Sequence, residues 1–151
     1  MKRWRAITLG TAGIVLAGAQ LVRPERTNPA TDPSRALAAH RAVPESVAQI
    51  LDRACRDCHS NETQWPWYSH VAPVSWFVID HVNHGRSHFN YSDWARYPPE
   101  EGRKLLKATC QLARETAMPL ASYTVMHRSA KLSAADVEVL CKWAGESAAP
   151  E

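Results

Sequence analysis

The sequence predicts an all-α fold, and three features of the chain support this prediction. Four segments carry apolar residues three and four positions apart, which is the spacing of one helix face. Prolines open three of these segments and glycines end two of them, as is typical of helix starts and ends. No segment alternates apolar and polar residues between hairpin turns. The 151 residues fit one domain of about 100 to 120 residues and a terminal segment.

Apolar stripes place the four predicted helices. They cover Pro44 to about Cys58, Pro73 to Gly85, "PPEEGRKLLKATCQLAR" and "LSAADVEVLCKWAG". In the last of these, Ser133 and Asp136 form a start of the capping-box type. These helices define a domain over residues 44–146.

The N-terminus has the pattern of an export signal. Lys2, Arg3 and Arg5 precede an uncharged run, so residues 1–22 are predicted to be a signal or membrane anchor segment. Small residues at 17 to 19 favour cleavage, whereas the length of the run is at the lower limit for spanning a bilayer. Residues 23–43, rich in Pro, Thr and Asn, are predicted to be a linker.

The formal charge of +3 is concentrated at this end of the chain. The first 26 residues hold five Lys and Arg residues and one Glu, and the rest of the chain is nearly neutral. A neutral body offers no basic surface to a phosphate backbone, so we expect no nucleic-acid partner.

The segment "ACRDCHSNETQWPWYSHVAP" contains the motif Cys55-x-x-Cys58-His59. On a helix these side chains share a face, where two thiols can meet the vinyl groups of a porphyrin and an imidazole can reach its iron. The motif therefore indicates covalent attachment of one haem c, with His59 as the proximal iron ligand. The export pattern supports this interpretation, because c-type haem is attached outside the cytoplasm.

Three other sites also use two cysteines at this spacing. A zinc site would join Cys55 and Cys58 to His84 and His88, but the gap between the pairs is longer than usual and His59 would have no role. A thioredoxin-like dithiol needs a βαβ context, which the sequence lacks. A disulfide between positions i and i+3 of a helix would be strained. Haem attachment is the preferred interpretation.

A six-coordinate haem needs a second axial ligand, and Met118 is the first candidate. Pro119 follows it directly and disfavours helical geometry at residue 118, so this methionine is expected in a loop. Met126, His81 and His84 are the fallback candidates. Core packing is the alternative role for a methionine, and surface or hydrogen-bonding roles are the alternative for the histidines.

Four aromatic residues follow the motif and are candidates for the wall of a haem pocket: Trp65, Trp67, Tyr68 and Trp76. Aromatic bulk would shield the iron from water and disfavour its more highly charged oxidised state. Ordinary core packing is the alternative for each of them.

The remaining cysteines, Cys110 and Cys141, are predicted to form a disulfide between the third and last helices. An exported chain meets an oxidising compartment, where free thiols seldom persist. The bridge would restrain the segment that carries Met118. Two buried free thiols are the alternative.

The chain resembles the bacterial haem-binding-domain family, exported cytochrome-c-like proteins with a C-x-x-C-H site. The similar segments are "CRDCHSNETQWPWYSHVAPVSWFVIDHVNHGR", "FNYSDW", "MPLASYTVMHRSAKLSAADVEVLCKWA" and, after the anchor, "QLVRPERTNP". The resemblance implies haem c on Cys55 and Cys58, iron ligation by His59 and a retained N-terminal anchor. It also fits Met118 as the distal ligand, by analogy with the Met-Pro loops of cytochromes c.

We therefore expect a small cytochrome-c-like domain on the periplasmic side of the bacterial cytoplasmic membrane. It would be a single-electron carrier and not an enzyme, and its redox partner protein is unknown. A haem-based sensor or small-ligand-binding module is the alternative, and it needs an open or weakly held sixth position on the iron. A peroxidase-like enzyme would need an acid–base pair near the iron, with His81 and Arg86 as candidates.

Overall fold

The all-α prediction is confirmed by the computed structural model, which describes residues 2 to 146. Met1, the first residue of the predicted signal segment, and residues 147 to 151 lie outside this range. Over the described range the chain contains no strand. Its α-helices are α1 (Lys2–Ala19), α2 (Leu37–His40), α3 (Glu45–Ala54), α4 (Arg56–His59), α5 (Val74–His88), α6 (Pro99–Arg114), α7 (Ala121–Met126) and α8 (Ala134–Glu146).

The first predicted helix is interrupted near its C-terminal end, at Cys55. Instead of one helix from Pro44 to Cys58, α3 ends at Ala54 and the single turn of α4 begins at Arg56. Cys55 lies between them with φ −128° and ψ −34°, outside the helical region. The apolar stripe of α3 continues up to the break, so spacing alone does not reveal it.

One hydrophobic core joins α3, α6 and α8. Its main buried side chains are Leu37, Val47, Ile50, Leu51, Phe89, Trp94, Leu106, Leu140 and Trp143. The predicted capping box at the start of α8 is confirmed. The Ser133 N–H donates to Asp136 Oδ2 at 2.8 Å, and the Asp136 N–H donates to Ser133 Oγ at 3.1 Å. The spacing of the apolar residues therefore explains where the long helices form, and the capping box explains where α8 begins.

The predicted linker packs against the domain instead of forming a free tether. Leu37 in α2 is buried in the core, and Arg35 forms an ion pair of 2.7 Å with Asp93. Upstream, Arg26 Nη1 donates to the Ser69 carbonyl at 2.7 Å. The sequence predicted a linker because residues 23–43 show no helical or strand periodicity. In the structure, polar groups of this segment instead form hydrogen bonds and an ion pair with the domain surface.

Helix α1 exposes its large apolar side chains, which are Trp4, Ile7, Leu9, Ile14, Val15 and Leu16. At its end, Gln20 makes two hydrogen bonds of 3.0 Å with the backbone of Ala72, and Trp76 Nε1 donates to the Val22 carbonyl at 2.8 Å. In the part of the chain that the structure describes, no helix combines the length and the hydrophobicity that a membrane crossing requires.

Helix α5 touches the cysteine-containing turn at Gly85. The sequence predicted that this residue ends the helix, but α5 continues to His88. A Cβ atom at position 85 would lie 2.5 Å from the carbonyl oxygen of Cys58. The glycine is therefore required for close packing and does not terminate the helix.

A disulfide joins Cys110 of α6 to Cys141 of α8, at a sequence separation of 31 and with Cα atoms 4.8 Å apart. These two helices pack directly on each other beside the core. The bridge therefore closes the loop that carries α7 and Met118.

Replacing Cys110→Ala and Cys141→Ala together should lower the free energy of unfolding by about 3 to 4 kcal/mol, because a loop of this length regains its freedom in the unfolded chain. Urea unfolding followed by circular dichroism would measure the loss. Each single variant should lose nearly as much as the double variant, since either one breaks the bridge. Strictly additive losses would contradict this account.

Gly85→Ala should lower the free energy of unfolding by about 1 to 3 kcal/mol, because the added methyl group overlaps the Cys58 carbonyl. Gly145→Ala is the matched control, since it is also a helical glycine but has nothing within 4 Å of the added atom. The control should be neutral or slightly stabilising. Equal midpoints of thermal unfolding for the two variants would contradict the packing argument.

Candidate cofactor site

Cys55, Cys58 and His59 line one cavity of about 510 Å³. The break at Cys55 and the single turn of α4 present these three side chains to the space enclosed by α5, α6 and the loop after α6. The other lining residues are Ala54, His81, His84, Gly85, His88, Phe89, Leu105, Ala108, Thr109, Leu112, Met118, Pro119, Leu120 and Tyr123. Apart from the histidines, the wall is chiefly apolar, as in sites that enclose an organic cofactor.

The His59 imidazole is oriented by a hydrogen bond of 2.9 Å between its Nδ1 and the Phe89 carbonyl oxygen. A carbonyl only accepts, so Nδ1 carries the proton and Nε2 keeps its lone pair. Burial lowers the pKa of His59, which favours this neutral form. The ring is therefore prepared to bind a metal through Nε2, with Phe89 as its outer partner.

The two thiols next to this histidine are held in the neutral form. Burial raises the pKa of Cys55 to about 12 and the pKa of Cys58 to about 11. Both cysteines lie outside the disulfide. An uncharged sulfur is the form that a thioether also has, so the site accommodates such a bond without burying a charge.

Arg86 holds the loop that follows the motif. Its Nε donates to the Ser60 carbonyl at 2.7 Å, and Nη2 donates to Thr63 Oγ1 at 2.7 Å. The same guanidinium reaches the predicted linker, where it donates to the Thr27 carbonyl and to Asn28 Oδ1. The segment after His59 is thereby fixed to α5 and to the chain before the domain.

Met118 lines the same cavity as the motif and is 37% exposed. It lies in the loop between α6 and α7, as its position before Pro119 predicts. The N–H groups of Ala117 and Met118 both donate to the Leu112 carbonyl, at 3.0 and 3.2 Å. These bonds fold the loop back on the end of α6.

The fallback ligands occupy different positions. Met126 is absent from the lining of the larger cavity and lines an adjoining one of about 330 Å³. His81 lines both cavities, and its Nδ1 is 2.8 Å from the Phe77 carbonyl oxygen. His84 lines the larger cavity, but its Nε2 is 3.0 Å from Nε2 of His88.

The four candidate pocket aromatics separate into two pairs. Trp67 and Tyr68 line the smaller cavity, and Trp67 is 73% exposed. Trp65 and Trp76 line neither cavity. The indole N–H of Trp65 donates to Asn28 Oδ1 in the predicted linker, and that of Trp76 donates to the carbonyl of Val22, the last residue of the predicted signal segment. Sequence proximity to the motif therefore does not bring all four to one wall.

Sequence reasoning missed a polar cluster at the junction of the two cavities. Tyr123 donates from its hydroxyl to Asp57 Oδ2 at 2.8 Å and stacks on His127 with ring centroids 4.2 Å apart. His127 Nε2 lies 2.6 Å from the Tyr68 hydroxyl. The spacing of Tyr123 and His127 at i and i+4 signals a shared face of α7, but not that this face meets Asp57.

The zinc interpretation has no support from this arrangement. Cys55, Cys58, His84 and His88 all line the larger cavity. Yet within residues 2 to 146 no three or more His, Cys, Asp and Glu side chains are grouped so that they could hold a metal ion. Two thiols directly followed by His59, in a cavity that the Met118 thioether also lines, fit a haem better than a zinc ion.

Comparison with known proteins agrees with this chemistry. The family model described as a haem-binding domain matches residues 14–146, which is most of the chain and includes every side chain of the larger cavity. Comparisons with curated proteins and with solved structures give no match. The match extends through the predicted linker, which the structure shows packed on the domain. The chain belongs to the haem-binding-domain family.

Proposed function

We propose that the protein carries one haem c, bound covalently through Cys55 and Cys58, and that it transfers single electrons outside the cytoplasm. One observation carries this proposal: two neutral thiols, an imidazole with a free Nε2 and the Met118 thioether line a single apolar cavity. Thioether bonds to Cys55 and Cys58 would hold the porphyrin at the break between α3 and α4, and His59 and Met118 would bind its iron.

A haem held there supplies an iron centre that alternates between the ferric and ferrous states. The protein's own contribution is to keep that centre in place. The His59 ring is held by its hydrogen bond to Phe89, the backbone of Met118 is held by its hydrogen bond to Leu112, and most of the wall is apolar. Because neither ligand has to move, a change of charge costs little reorganisation, which suits an electron carrier.

A sensor or small-ligand-binding module is the second candidate, and the exposure of Met118 is the observation that favours it. A partly exposed ligand in a loop is more easily displaced by a diatomic gas than a buried one. A peroxidase-like role is disfavoured, because the Arg86 side chain donates to four oxygen atoms and lines neither cavity.

We further propose that the N-terminal segment exports the chain and keeps it at the periplasmic side of the cytoplasmic membrane. The cationic start and the exposed apolar residues of α1 support this location. A redox protein in the same compartment would be the partner.

Replacing Cys55→Ser and Cys58→Ser together should abolish covalent attachment, since both thioether bonds are lost. Protein matured with haem would be denatured, extracted with acidified acetone and stained for haem after gel electrophoresis. The natural sequence should retain the stain, each single variant should retain part of it, and the double variant should lose it. Cys110→Ala with Cys141→Ala is the control and should keep the stain. A retained stain in the double serine variant would contradict attachment at the motif.

Met118→Ala should convert a six-coordinate, low-spin haem into one with an open position, because the thioether ligand is removed. Absorption spectra of the ferric and ferrous protein, with and without carbon monoxide, would show the change. The natural sequence should resist carbon monoxide and Met118→Ala should bind it. Met126→Ala is the matched control and should behave like the natural sequence. Ready binding of carbon monoxide by the natural sequence would favour the sensor, and an unchanged spectrum in Met118→Ala would remove Met118 from the iron.

A further inference from the structure

Arg86 is a buried cation that forms no ion pair with any residue that the structure describes. Its side chain is 9% exposed, and its hydrogen bonds go to two backbone carbonyls, one amide oxygen and one hydroxyl oxygen, at Ser60, Thr27, Asn28 and Thr63. Among the ion pairs of residues 2 to 146, none includes Arg86. A guanidinium stays charged at physiological pH, so the protein retains a buried positive charge at a considerable desolvation cost.

This charge lies against the attachment motif. Arg86 Nε is 2.7 Å from the carbonyl oxygen of Ser60, the residue directly after His59. The preceding residue, Gly85, packs on the Cys58 carbonyl. Arg86 is thus fixed to the backbone that presents both the second thiol and the proximal imidazole, yet it lines neither cavity.

Asp57 carries a negative charge on α4, the turn that also carries Cys58 and His59. Its Oδ1 accepts from the Gln64 N–H at 2.9 Å and its Oδ2 accepts from the Tyr123 hydroxyl, so neither oxygen binds Arg86. The side chain of Asp57 lines the smaller cavity. The Thr63 hydroxyl accepts from Arg86 and donates to the backbone carbonyl of Asp57, which leaves the Asp57 carboxylate outside this connection.

We infer that Arg86 is a tuning residue that raises the reduction potential of the haem by holding an unpaired positive charge beside the attachment motif. Reduction adds one electron to the ferric iron and lowers the positive charge of the centre by one. A fixed cation nearby disfavours the more positive ferric state and so favours the ferrous one. This inference rests on the proposed haem c and extends it by assigning a control of its potential.

The effect should be measurable. For two charges about 10 Å apart in a medium with an effective dielectric constant of about 20, the interaction changes an equilibrium constant by about tenfold. Because Arg86 is buried, mobile ions screen this interaction only weakly.

The test compares Arg86→Gln, which removes the charge, with Arg86→Lys, which keeps it but loses the planar set of donors. Both variants of the full chain, matured with haem, would be titrated in a spectroelectrochemical cell. At a fixed applied potential, Arg86→Gln should show about a tenfold lower ratio of ferrous to ferric protein than the natural sequence, and Arg86→Lys less than a twofold change. Both should unfold at lower temperature, because both lose hydrogen bonds. If the reduction potential fell equally in Arg86→Gln and Arg86→Lys, the lost hydrogen bonds and not the lost charge would be the cause. That result would overturn the inference.

Asp57→Asn provides a second measurement that does not require Arg86 to be replaced. Removing the negative charge on the same turn should raise the ratio of ferrous to ferric protein severalfold. An unchanged ratio would show that fixed charges beside this turn do not act on the iron, and it would overturn the inference even if Arg86→Gln fails to fold. Failure of the proposed function is a different result: the natural sequence would then carry no covalent haem stain at all.

Discussion

The site depends on one packing contact, in which the end of α5 lies against the backbone of the segment Cys55 to Ser60. Gly85 admits the Cys58 carbonyl, Arg86 donates to the Ser60 carbonyl, and the Phe89 carbonyl accepts a hydrogen bond from His59 Nδ1. Three residues within one five-residue stretch therefore fix the second cysteine, the imidazole and the residue after it. The Phe89 ring belongs to the hydrophobic core, so the orientation of the histidine is tied to the stability of the whole domain.

The Met118 segment of the cavity wall is held by different means. Met118 follows α6 in a loop that hydrogen-bonds to the Leu112 carbonyl, and α6 is joined to α8 by the Cys110–Cys141 disulfide. The imidazole thus relies on close packing and hydrogen bonds, whereas the Met118 segment relies on a covalent bridge and a short loop. A domain of this size has a limited core, and a covalent bridge compensates for that.

Features that depend on local spacing were accessible from the sequence, and features that depend on packing were not. The apolar stripes located the long helices, and the pair Ser133 and Asp136 located the start of α8. The break at Cys55 was missed because the stripe of α3 continues up to it. Gly85 was interpreted as a helix end because a glycine that stops a helix and one that admits a neighbouring backbone look the same in one sequence. The sequence did not indicate that the predicted linker packs on the domain, because the residues that it contacts, above all Arg86, lie far along the chain.

By itself, the sequence determined the all-α class and the family to which the chain belongs. These follow from residue types and from short, regular separations, which constrain neighbouring side chains directly. Only the tertiary structure decided that Met118 shares a cavity with His59 and that Trp65 and Trp76 do not line it. It also decided that Arg86 is buried with no counter-charge among the described residues. The physical reason is that burial and long-range contact are set by the packing of helices against one another, and spacing along the chain does not encode which faces meet.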